Sequence, residues 1–275
     1  MDDATLARLV AADYQAYVDA YADTPGVVVR RSHGIRMRWS DSIEDDYLDG
    51  VFGTVIDADD DVDARIREAI ATVGRRGRPF HWSVWPNDAP SDLAERLIAA
   101  GLEVAGTNPA MVLDLADLGP METPPGLIIR EATDEATRVA IAEFGTKSVG
   151  WIADGRPNPF AATFVRLASE PSPRMRLFGG WLDDVLVSSS ELFTGSGVAG
   201  IYAVATDEAM RGRGFGRALT RATLEAGRDA GHGLAVLMAS DLGLPVYRRL
   251  GFRSVGEVRF LRWPGGLPAE REGVR

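Results

Sequence analysis

The sequence predicts an α/β protein of two domains, each a mixed, twisted β-sheet flanked by helices. At 275 residues the chain is long for one compact α/β unit and sufficient for two. Residues 117–126 hold three prolines and two glycines, which cannot sustain a helix or a central strand. One order of elements, namely strand, helix, strand, short helix, glycine and extended chain, occurs on both sides of this run. We therefore expect a first domain over 1–116, a linker over 117–126 and a second domain over 127–275.

The first half begins with a helix, because apolar and aromatic residues such as Leu6, Val10 and Tyr17 recur at helical spacing between the charges of residues 1–25. This charged, periodic segment is unlike a signal peptide. The other predicted elements of this half are extended runs over 27–39 and 47–56, a helix over 62–73, an aromatic strand over 80–85, a helix over 91–100 that ends at Gly101, and a strand over 110–115.

The second half opens with a strand and continues as helical sequence before three strand-like runs. The last two of these runs are joined by Thr194-Gly195-Ser196-Gly197, whose composition indicates a hairpin connection. In chain order the predicted elements are a strand over 127–130, helical sequence to about 169, strands over 176–182, 185–193 and 198–205, a helix over 214–230, a strand over 234–239, a short helix over 244–250 that ends at Gly251, and extended chain over 252–263.

The two halves align when Gly101-Leu102 is laid over Gly251-Phe252. The period of this repeat is far too long for a solenoid, so we interpret it as a degenerate duplication of one domain.

Composition excludes several classes of function. The absence of cysteine excludes disulfides, thiolate metal sites and a cysteine nucleophile, and the three histidines are too scattered to suggest a metal site. A formal charge of -10 argues against a nucleic-acid partner and weakly favours a cationic substrate, although such a charge also simply keeps a protein in solution. No apolar run approaches the roughly 20 residues that a membrane span needs, so we expect a cytoplasmic protein without a membrane partner.

The glycine-rich sequence Arg211-Gly212-Arg213-Gly214-Phe215-Gly216 lies between a predicted strand and a predicted helix. Main-chain N–H groups at the start of a helix have no partner within it, and together with the helix dipole they form an anion site suited to a pyrophosphate. The dinucleotide-binding and P-loop patterns do not fit, because Arg217 or Leu219 stands at the third glycine position and no Gly-Lys-Ser/Thr is present. On the loop alone, a plain glycine-rich turn remains the alternative.

Two motifs and their separation carry a resemblance to a known family. Arg211-x-x-Gly214-x-Gly216 resembles the Arg/Gln-x-x-Gly-x-Gly/Ala signature of the GNAT superfamily of N-acetyltransferases, and the run from Tyr247 to Phe252 resembles its Tyr-x-x-x-Gly-Phe pattern. The runs 197–202, 245–252 and 79–82 also resemble a group of bacterial tandem GNAT proteins. The resemblance implies two GNAT-like domains, of which the first is degenerate.

The resemblance also implies a set of residues that bind acetyl-CoA. Main-chain groups of the strand before the loop would pair with pantetheine, and amides of the loop and the first helical turn would hold the pyrophosphate. Ser240 stands where many relatives have Asn. The implied set is Ala203, Val204, Ala205, Arg211, Gly212, Arg213, Gly214, Phe215, Gly216, Arg217 and Ser240.

Tyr247 is the candidate general acid, because a phenol stays protonated at neutral pH and can protonate the CoA thiolate. The alternative is that its ring only packs under the short helix. Relatives often place a carboxylate base where Tyr202 and Ala203 stand here, so we consider Glu191, a charge in an otherwise neutral strand, as a catalytic base. Glu191 could equally be a solvent-facing charge, or binding could select a neutral amine without a base. Trp151, Phe160 and Phe164 either line an acceptor pocket or belong to the core.

The first half lacks both chemical features of the second. The equivalent of the phosphate loop is 57–63, which has no glycine and five carboxylates, and Leu97 falls where Tyr247 falls. We therefore expect one competent site per chain.

Taken together, the sequence predicts an N-acetyltransferase that moves an acetyl group from acetyl-CoA to a primary amine of a small molecule, without a metal, as a monomer or homodimer. The alternatives are acetylation of a protein amine, a non-catalytic acyl-CoA-binding regulatory module, and another reaction of a CoA thioester such as decarboxylation or O-acylation.

Overall fold

A computed structural model describes residues 1–20, 24–43, 49–148, 152–153, 156–157 and 159–265. For residues 152–153, 156–157 and 159–160 it describes the backbone and not the side chains. The helices of this part of the chain are α1 Asp3–Asp19, α2 Val62–Gly74, α3 Leu93–Ala99, α4 Glu135–Ser148, α5 Pro159–Ser169, α6 Phe215–Asp229 and α7 Leu244–Leu250. The strands are β1 Val27–Ser32, β2 Ile35–Ser40, β3 Gly50–Phe52, β4 Phe80–Val84, β5 Glu103–Asp114, β6 Leu127–Glu131, β7 Ile152–Ala153, β8 Arg156–Pro157, β9 Met175–Leu182, β10 Val185–Phe193, β11 Ala199–Thr206, β12 Leu234–Met238 and β13 Arg253–Trp263.

The chain forms two compact units whose boundaries differ from the predicted ones. One unit contains Met1–Thr24 together with Asn108–Glu257, and the other contains Pro25–Thr107 together with Val258–Arg275. The predicted boundary at 117–126 therefore separates β5 from the strands with which it pairs. We call these two bodies the C-terminal unit and the N-terminal unit, after the half that supplies most of each.

The C-terminal unit is built on a mixed sheet in the order β5-β12-β11-β10-β9-β6. β11 and β12 are parallel and are joined by α6, whereas the other neighbouring pairs are antiparallel. The apolar face of α6 packs on the sheet through Leu219 and Leu224, which are fully buried with Leu192 and Ile201. The other predicted strands and the helix of this region are observed within one or two residues of their predicted bounds, but β5 begins at Glu103 and not at the predicted residue 110.

Helix α1 belongs to the C-terminal unit, although it is the first element of the chain. Asp2 caps it by accepting a hydrogen bond from the Thr5 amide at 2.8 Å, which satisfies one of the free N–H groups of the first turn. Its buried face, which includes Leu6 and Val10, packs against β11 and β12. Local periodicity predicts such a helix correctly but does not indicate which sheet it covers.

The N-terminal unit contains a second mixed sheet, in the order β1-β2-β3-β4 followed by residues 259–263 of β13. β3 and β4 are parallel and are joined by α2, as β11 and β12 are joined by α6. The predicted run over 27–39 is a hairpin instead, because His33 and Gly34 both have positive φ and turn the chain between β1 and β2. Part of the predicted run over 47–56 lies outside the described residues, as does the end of the predicted first helix.

The duplicated order of elements is present in the structure. In each half a parallel strand–helix–strand unit is followed by a short helix that ends at a glycine in the left-handed region, Gly101 with φ 99° and Gly251 with φ 100°. The long strands that follow these helices, β5 and β13, each cross the boundary between the two units. One prediction was too simple: the helical sequence before 169 is interrupted, because β7 and β8 pair as an antiparallel hairpin between α4 and α5.

Candidate active site

The loop between β11 and α6 exposes main-chain donors. Gly214 is the residue before α6, with φ 85°, and it supplies no side-chain cap. The first backbone bond of the helix is made by the Ala218 amide to the Gly214 carbonyl at 3.0 Å. The amides of Phe215, Gly216 and Arg217 have no hydrogen-bond partner among the described residues. This is the arrangement that binds an anion at a helix N-terminus.

Glycine is required in this loop for two different reasons. Gly212 and Gly214 have φ of 78° and 85°, a conformation that other residues adopt with strain. At Gly216 the reason is space, since a Cβ there would lie 2.8 Å from Thr206 Oγ1. The loop therefore keeps an open backbone surface, which fits the diphosphate that the sequence motif predicts.

A cavity of about 620 Å³ opens at the loop and extends along β11 to α7. Its lining includes several residues of the predicted set, namely Val204, Ala205, Arg211, Gly214, Gly216 and Ser240, together with Tyr247. Gly212, Phe215 and Arg217 also line it. The structure thus brings the predicted donor-binding loop and the predicted general acid to one cavity.

Among the described residues, the strand that borders the cavity has no partner along one edge beyond Gly200. Pairing between β11 and β12 is limited to Ala199 with Ala235 and Gly200 with Val236. Beyond Gly200, β11 is paired with β10, and Ala203 forms a bulge with φ 48° whose carbonyl accepts a hydrogen bond from Ser189 Oγ at 3.2 Å. Ala203 itself does not line the cavity. The free edge from 201 to 206 offers main-chain groups of the kind that could pair with an extended amide-containing chain.

Tyr247 lies in the wall of the cavity, on α7. Its side chain packs against the ring of Phe252, 5.9 Å between centroids, and only 8% of the residue is exposed. Gly243 makes room for it, because a Cβ at Gly243 would lie 2.7 Å from Tyr247 Cε2. Burial raises the pKa of Tyr247 to about 12, which keeps the phenol protonated at neutral pH.

Ser240 stands at the end of β12, where its Oγ accepts a hydrogen bond from the Gly243 amide at 3.2 Å. This bond helps to shape the turn that leads into α7. Ser240 thus has a structural role in the turn in addition to its place in the cavity wall.

The arginines of the loop are placed differently from one another. Arg211 and Arg217 are both exposed and both line the cavity. The Arg211 guanidinium Nη1 lies 3.9 Å from Glu208 Oε1. The Arg213 guanidinium stacks over the Phe215 ring at 5.0 Å and is not part of the cavity lining. Arg213 is thus the one residue of the loop from Arg211 to Gly216 that does not line the cavity.

Glu191 lies on β10 and does not line the cavity. Its carboxyl group is fully buried, so the alternative of a solvent-facing charge is wrong. Tyr17 Oη donates a hydrogen bond to Oε2 at 3.3 Å, and Oε1 has no hydrogen-bond partner among the described residues. Burial raises the pKa of Glu191 to about 8, which the bond from Tyr17 partly offsets.

Two polar residues near Glu191 were missed by the sequence analysis. Asp13 and Tyr17 lie on α1, and Asp13 is fully buried where it accepts hydrogen bonds from Tyr202 Oη at 2.6 Å and from Ser196. The available signal was an acidic residue on the apolar face of an amphipathic helix, one turn before a tyrosine. That signal has no meaning until the sheet beneath the helix is known.

The N-terminal unit uses the equivalent region differently. Asp61 precedes α2 and accepts a hydrogen bond from the Ala64 amide at 3.0 Å, so a carboxylate of the chain caps the helix end that is free in the other unit. Leu97, at the position that corresponds to Tyr247, is fully buried. Both observations agree with the expectation that this unit has no donor site.

The structure describes only one of the three aromatic side chains that the sequence suggested for an acceptor pocket. Trp151 and the side chain of Phe160 lie outside the described residues, and Phe164 is buried, with 3% exposed. Within the described ranges, no group of three or more His, Cys, Asp and Glu residues is arranged to hold a metal ion. The helices of those ranges also include none with the length and hydropathy of a membrane span.

Comparison with known proteins finds a family model that matches part of the chain. Residues 176–255 match the family model described as "Acetyltransferase (GNAT) domain". This segment contains the loop, the free strand edge, Glu191 and Tyr247. No curated protein matches the chain. The resemblance to the GNAT superfamily that the two motifs predict is therefore confirmed, and acyl-CoA-dependent acetyl transfer is the class of reaction that it supports.

Solved structures confirm the fold over nearly the whole chain. A GCN5-related N-acetyltransferase from Kribbella flavida is 21% identical, with a TM-score of 0.66 over 93% of this chain and 96% of that one. A GCN5-related N-acetyltransferase from Sphaerobacter thermophilus is 17% identical, with a TM-score of 0.64 over 97% and 95%. A tandem GNAT protein from the clavulanic acid biosynthesis pathway is 16% identical, with a TM-score of 0.62 over 97% and 95%.

Proposed function

We propose that the GNAT domain matched by residues 176–255 makes this chain an N-acetyltransferase that transfers the acetyl group of acetyl-CoA to a primary amine of a small molecule. The observation that carries the proposal is the meeting of two features in one cavity: unpaired amides at the start of α6 and a buried, protonated phenol on α7. The first suits the diphosphate of the donor, and the second suits the release of its thiolate.

The residues that would hold the donor are the loop amides of Gly212 to Arg217 and the free edge of β11. When bound, acetyl-CoA supplies an activated acyl group as a thioester. Charge-assisted hydrogen bonds contribute roughly 1.5–3 kcal/mol each, so three or four loop amides are sufficient to anchor a diphosphate. The exposed side chains of Arg211 and Arg217 add positive potential to the mouth of a cavity in an otherwise acidic protein.

Tyr247 is proposed to give its phenolic proton to the CoA sulfur as the carbon–sulfur bond breaks. The amine nitrogen loses one proton when it forms the new bond to the acyl carbon, so a second group has to accept a proton. We propose Glu191 Oε1 for this role, with water carrying the proton to it from the cavity, because it has no hydrogen-bond partner among the described residues and its pKa of about 8 is close to neutral pH. Before the next turnover Glu191 releases its proton to solvent and Tyr247 recovers one from solvent, which balances the reaction.

The first test is binding and turnover of the unmodified protein. Calorimetry with coenzyme A should show one site per chain, and acetyl-CoA should release thiol in the presence of some member of an amine panel that includes a lysine-containing peptide. Faster thiol release with the peptide than with small amines would indicate that the acceptor is a protein amine. A chain with no affinity for coenzyme A would remove the proposal altogether.

The second test is Tyr247→Phe. The substitution removes the donated proton and leaves the ring packed on Phe252, so turnover should fall by roughly 10²–10⁴ while coenzyme A binds as before. Steady-state thiol release measures the first quantity and calorimetry the second. Turnover equal to that of the unmodified enzyme would show that Tyr247 is only a packing residue.

A non-catalytic acyl-CoA-binding module is the second candidate, and the position of Glu191 favours it. The carboxyl group is outside the cavity lining and is fully buried, which is not the usual place of a catalytic base. This candidate predicts binding of coenzyme A without thiol release on any amine. The same panel therefore separates the two functions.

A further inference from the structure

The face of the sheet that carries Glu191 is covered by helix α1, which lies far outside the segment that matches the GNAT domain. Asp13 and Tyr17 are four residues apart, so their side chains project from one face of the helix. On the sheet, Glu191 of β10 is directly opposite Tyr202 of β11, so these two side chains share a face. The first helix of the chain therefore meets the strand pair next to the cavity with two polar groups.

The first contact joins Asp13 to Tyr202. Tyr202 Oη donates to Asp13 Oδ2 at 2.6 Å, and Ser196 donates to the other carboxylate oxygen. Gly200 is fitted to this contact, because a Cβ there would lie 2.2 Å from Asp13 Oδ2. Burial raises the pKa of Asp13 to about 6, and both hydroxyl donors oppose that rise. The hydroxyl of Tyr202 is thereby directed toward α1.

The second contact joins Tyr17 to Glu191. The ring of Tyr17 is stacked on that of Tyr202, with 3.8 Å between centroids and 2° between planes, and lies edge-on to Phe193. In this position Tyr17 Oη donates to Glu191 Oε2 at 3.3 Å, and Oε1 is left without a partner among the described residues. The contacts with Tyr202 and Phe193 thus hold the ring of Tyr17, and its hydroxyl bonds one oxygen of the carboxyl group, while the other has no partner among the described residues.

In the part of the chain that the structure describes, few groups surround Glu191. α1 presents Asp13, Tyr14 and Tyr17 to this face, and β11 presents Tyr202. The neighbour of Glu191 on β9 is Leu177, and α4 packs over the same face with buried Gly145 and Thr146 while its Glu143 and Lys147 are exposed. The electrostatic influence of His232 slightly lowers the pKa of Asp13. Among the described residues, Tyr17 is the one that hydrogen-bonds to Glu191.

We propose that Tyr17 is a positioning residue of the acetyl-transfer site: it orients the Glu191 carboxyl group and stabilises its ionised form, and Asp13 fixes Tyr17 in place through the stacked ring of Tyr202. The inference rests on the proposed function, since Glu191 needs tuning only if it accepts a proton. Burial favours the protonated carboxyl group and the Tyr17 hydroxyl favours the carboxylate. An element from the start of the chain thus sets the pH at which the second half of the chain works.

The variant Tyr17→Phe keeps the stacked ring and removes the hydroxyl donor. Two measurements follow the consequence: infrared titration of the Glu191 carboxyl group, assigned by its loss in Glu191→Gln, and the pH profile of thiol release. Both the titration midpoint and the rising limb of the profile should move upward by about one pH unit, the size that one hydrogen bond to a charged group carries. Calorimetry with coenzyme A should give the value of the unmodified protein, which shows that the fold and donor site are intact.

Asp3→Asn is the matched control on the same helix. Asp3 makes an exposed ion pair with Arg253 at 2.7 Å, far from the network, so the variant should alter neither midpoint nor profile. If the unmodified enzyme is active and Tyr17→Phe moves neither quantity, Tyr17 is a packing residue and the inference is wrong. If the midpoint moves and the pH profile does not, Glu191 is not the group that accepts the proton, and Tyr17 is not a positioning residue of the acetyl-transfer site. If the unmodified enzyme binds coenzyme A and releases no thiol on any amine, the proposed function fails, and this inference fails with it.

Discussion

At the scale of single residues, small side chains decide which groups can approach one another in the C-terminal unit. Gly216 leaves the phosphate loop open, Gly200 leaves room for Asp13, and Gly243 leaves room for the ring of Tyr247. None of these three has a positive φ, so each is needed for space and not for backbone conformation. Gly216 and Gly243 border the cavity, and Gly200 lies under α1.

Gly243→Ala tests the support of the general acid. A Cβ would lie 2.7 Å from Tyr247 Cε2, so the ring has to shift and its hydroxyl moves with it. We expect turnover to fall by about ten- to a hundredfold, because a displacement of roughly 1 Å is enough for such a loss. Gly233→Ala is the control, since a Cβ there meets nothing within 4 Å. Equal turnover in the two variants would mean that the position of the Tyr247 ring does not matter.

At this scale, local sequence motifs predict part of the candidate site. The loop from Arg211 to Gly216 and the position of Tyr247 follow from spacing, and the structure brings them to one cavity. The environment of Glu191 could not be predicted, because its burial and its partner Tyr17 depend on a contact between residues 174 positions apart. A charge in a neutral strand looks the same in sequence whether it faces water or the underside of a helix.

At the scale of elements, the two strand–helix–strand units differ in how the helix N-terminus is satisfied. α2 is capped by the carboxylate of Asp61, whereas α6 begins at Gly214 with no side-chain cap. A helix end closed by an acidic side chain is satisfied without a ligand and repels phosphate, and an uncapped end is available to an anion. The same element therefore serves stability in one unit and, in our proposal, binding in the other.

Asp61→Ala tests this division. The loss of a capping side chain should lower the free energy of unfolding of the N-terminal unit by about 0.5–2 kcal/mol, because the Ala64 amide loses its acceptor. Coenzyme A affinity should stay unchanged, since the substitution does not touch the loop at Gly214. Denaturant unfolding gives the first quantity and calorimetry the second. A change in coenzyme A affinity without a change in stability would contradict the division.

Element bounds were predicted well where the apolar pattern is strong and punctuated by glycine. β10 and α7 were predicted with their observed bounds, and α6 within a residue at each end. The hairpin at His33-Gly34 was missed because the strands on both sides are similar in character, so the run reads as one. The interruption between α4 and α5 was missed because β7 and β8 are only two residues long each.

At the scale of the whole molecule, the division of the chain is not sequential. α1 and residues 108–114 of β5 belong to the C-terminal unit, and residues 258–263 of β13 belong to the N-terminal unit. A proline- and glycine-rich run marks where the backbone is irregular, and this is why 117–126 was interpreted as a linker. It carries no information on which strands pair, and that pairing determines the units.

A fragment of residues 127–275 tests the importance of α1 and residues 108–114 for the C-terminal unit. It lacks α1, which covers β11 and β12, and it lacks the strand that pairs with β12 from Ala110 to Asp114. An unpaired strand edge and an uncovered apolar face should leave the fragment without a cooperative thermal transition and prone to association. The full chain under the same conditions is the reference. A fragment that melts cooperatively and binds coenzyme A would show that the predicted domain is self-sufficient.

This non-sequential division of the chain also affects the order in which contacts can form during synthesis on the ribosome. Helix α1 is translated well before β11 and β12, which form the surface on which it packs, and the last part of β5 is likewise translated before its partner β12. Contacts between distant parts of a chain form slowly, and their apolar surfaces stay exposed in the meantime. We therefore expect ribosome-bound chaperones to bind the nascent first half. We also expect α1 to be among the last helices to reach its final position.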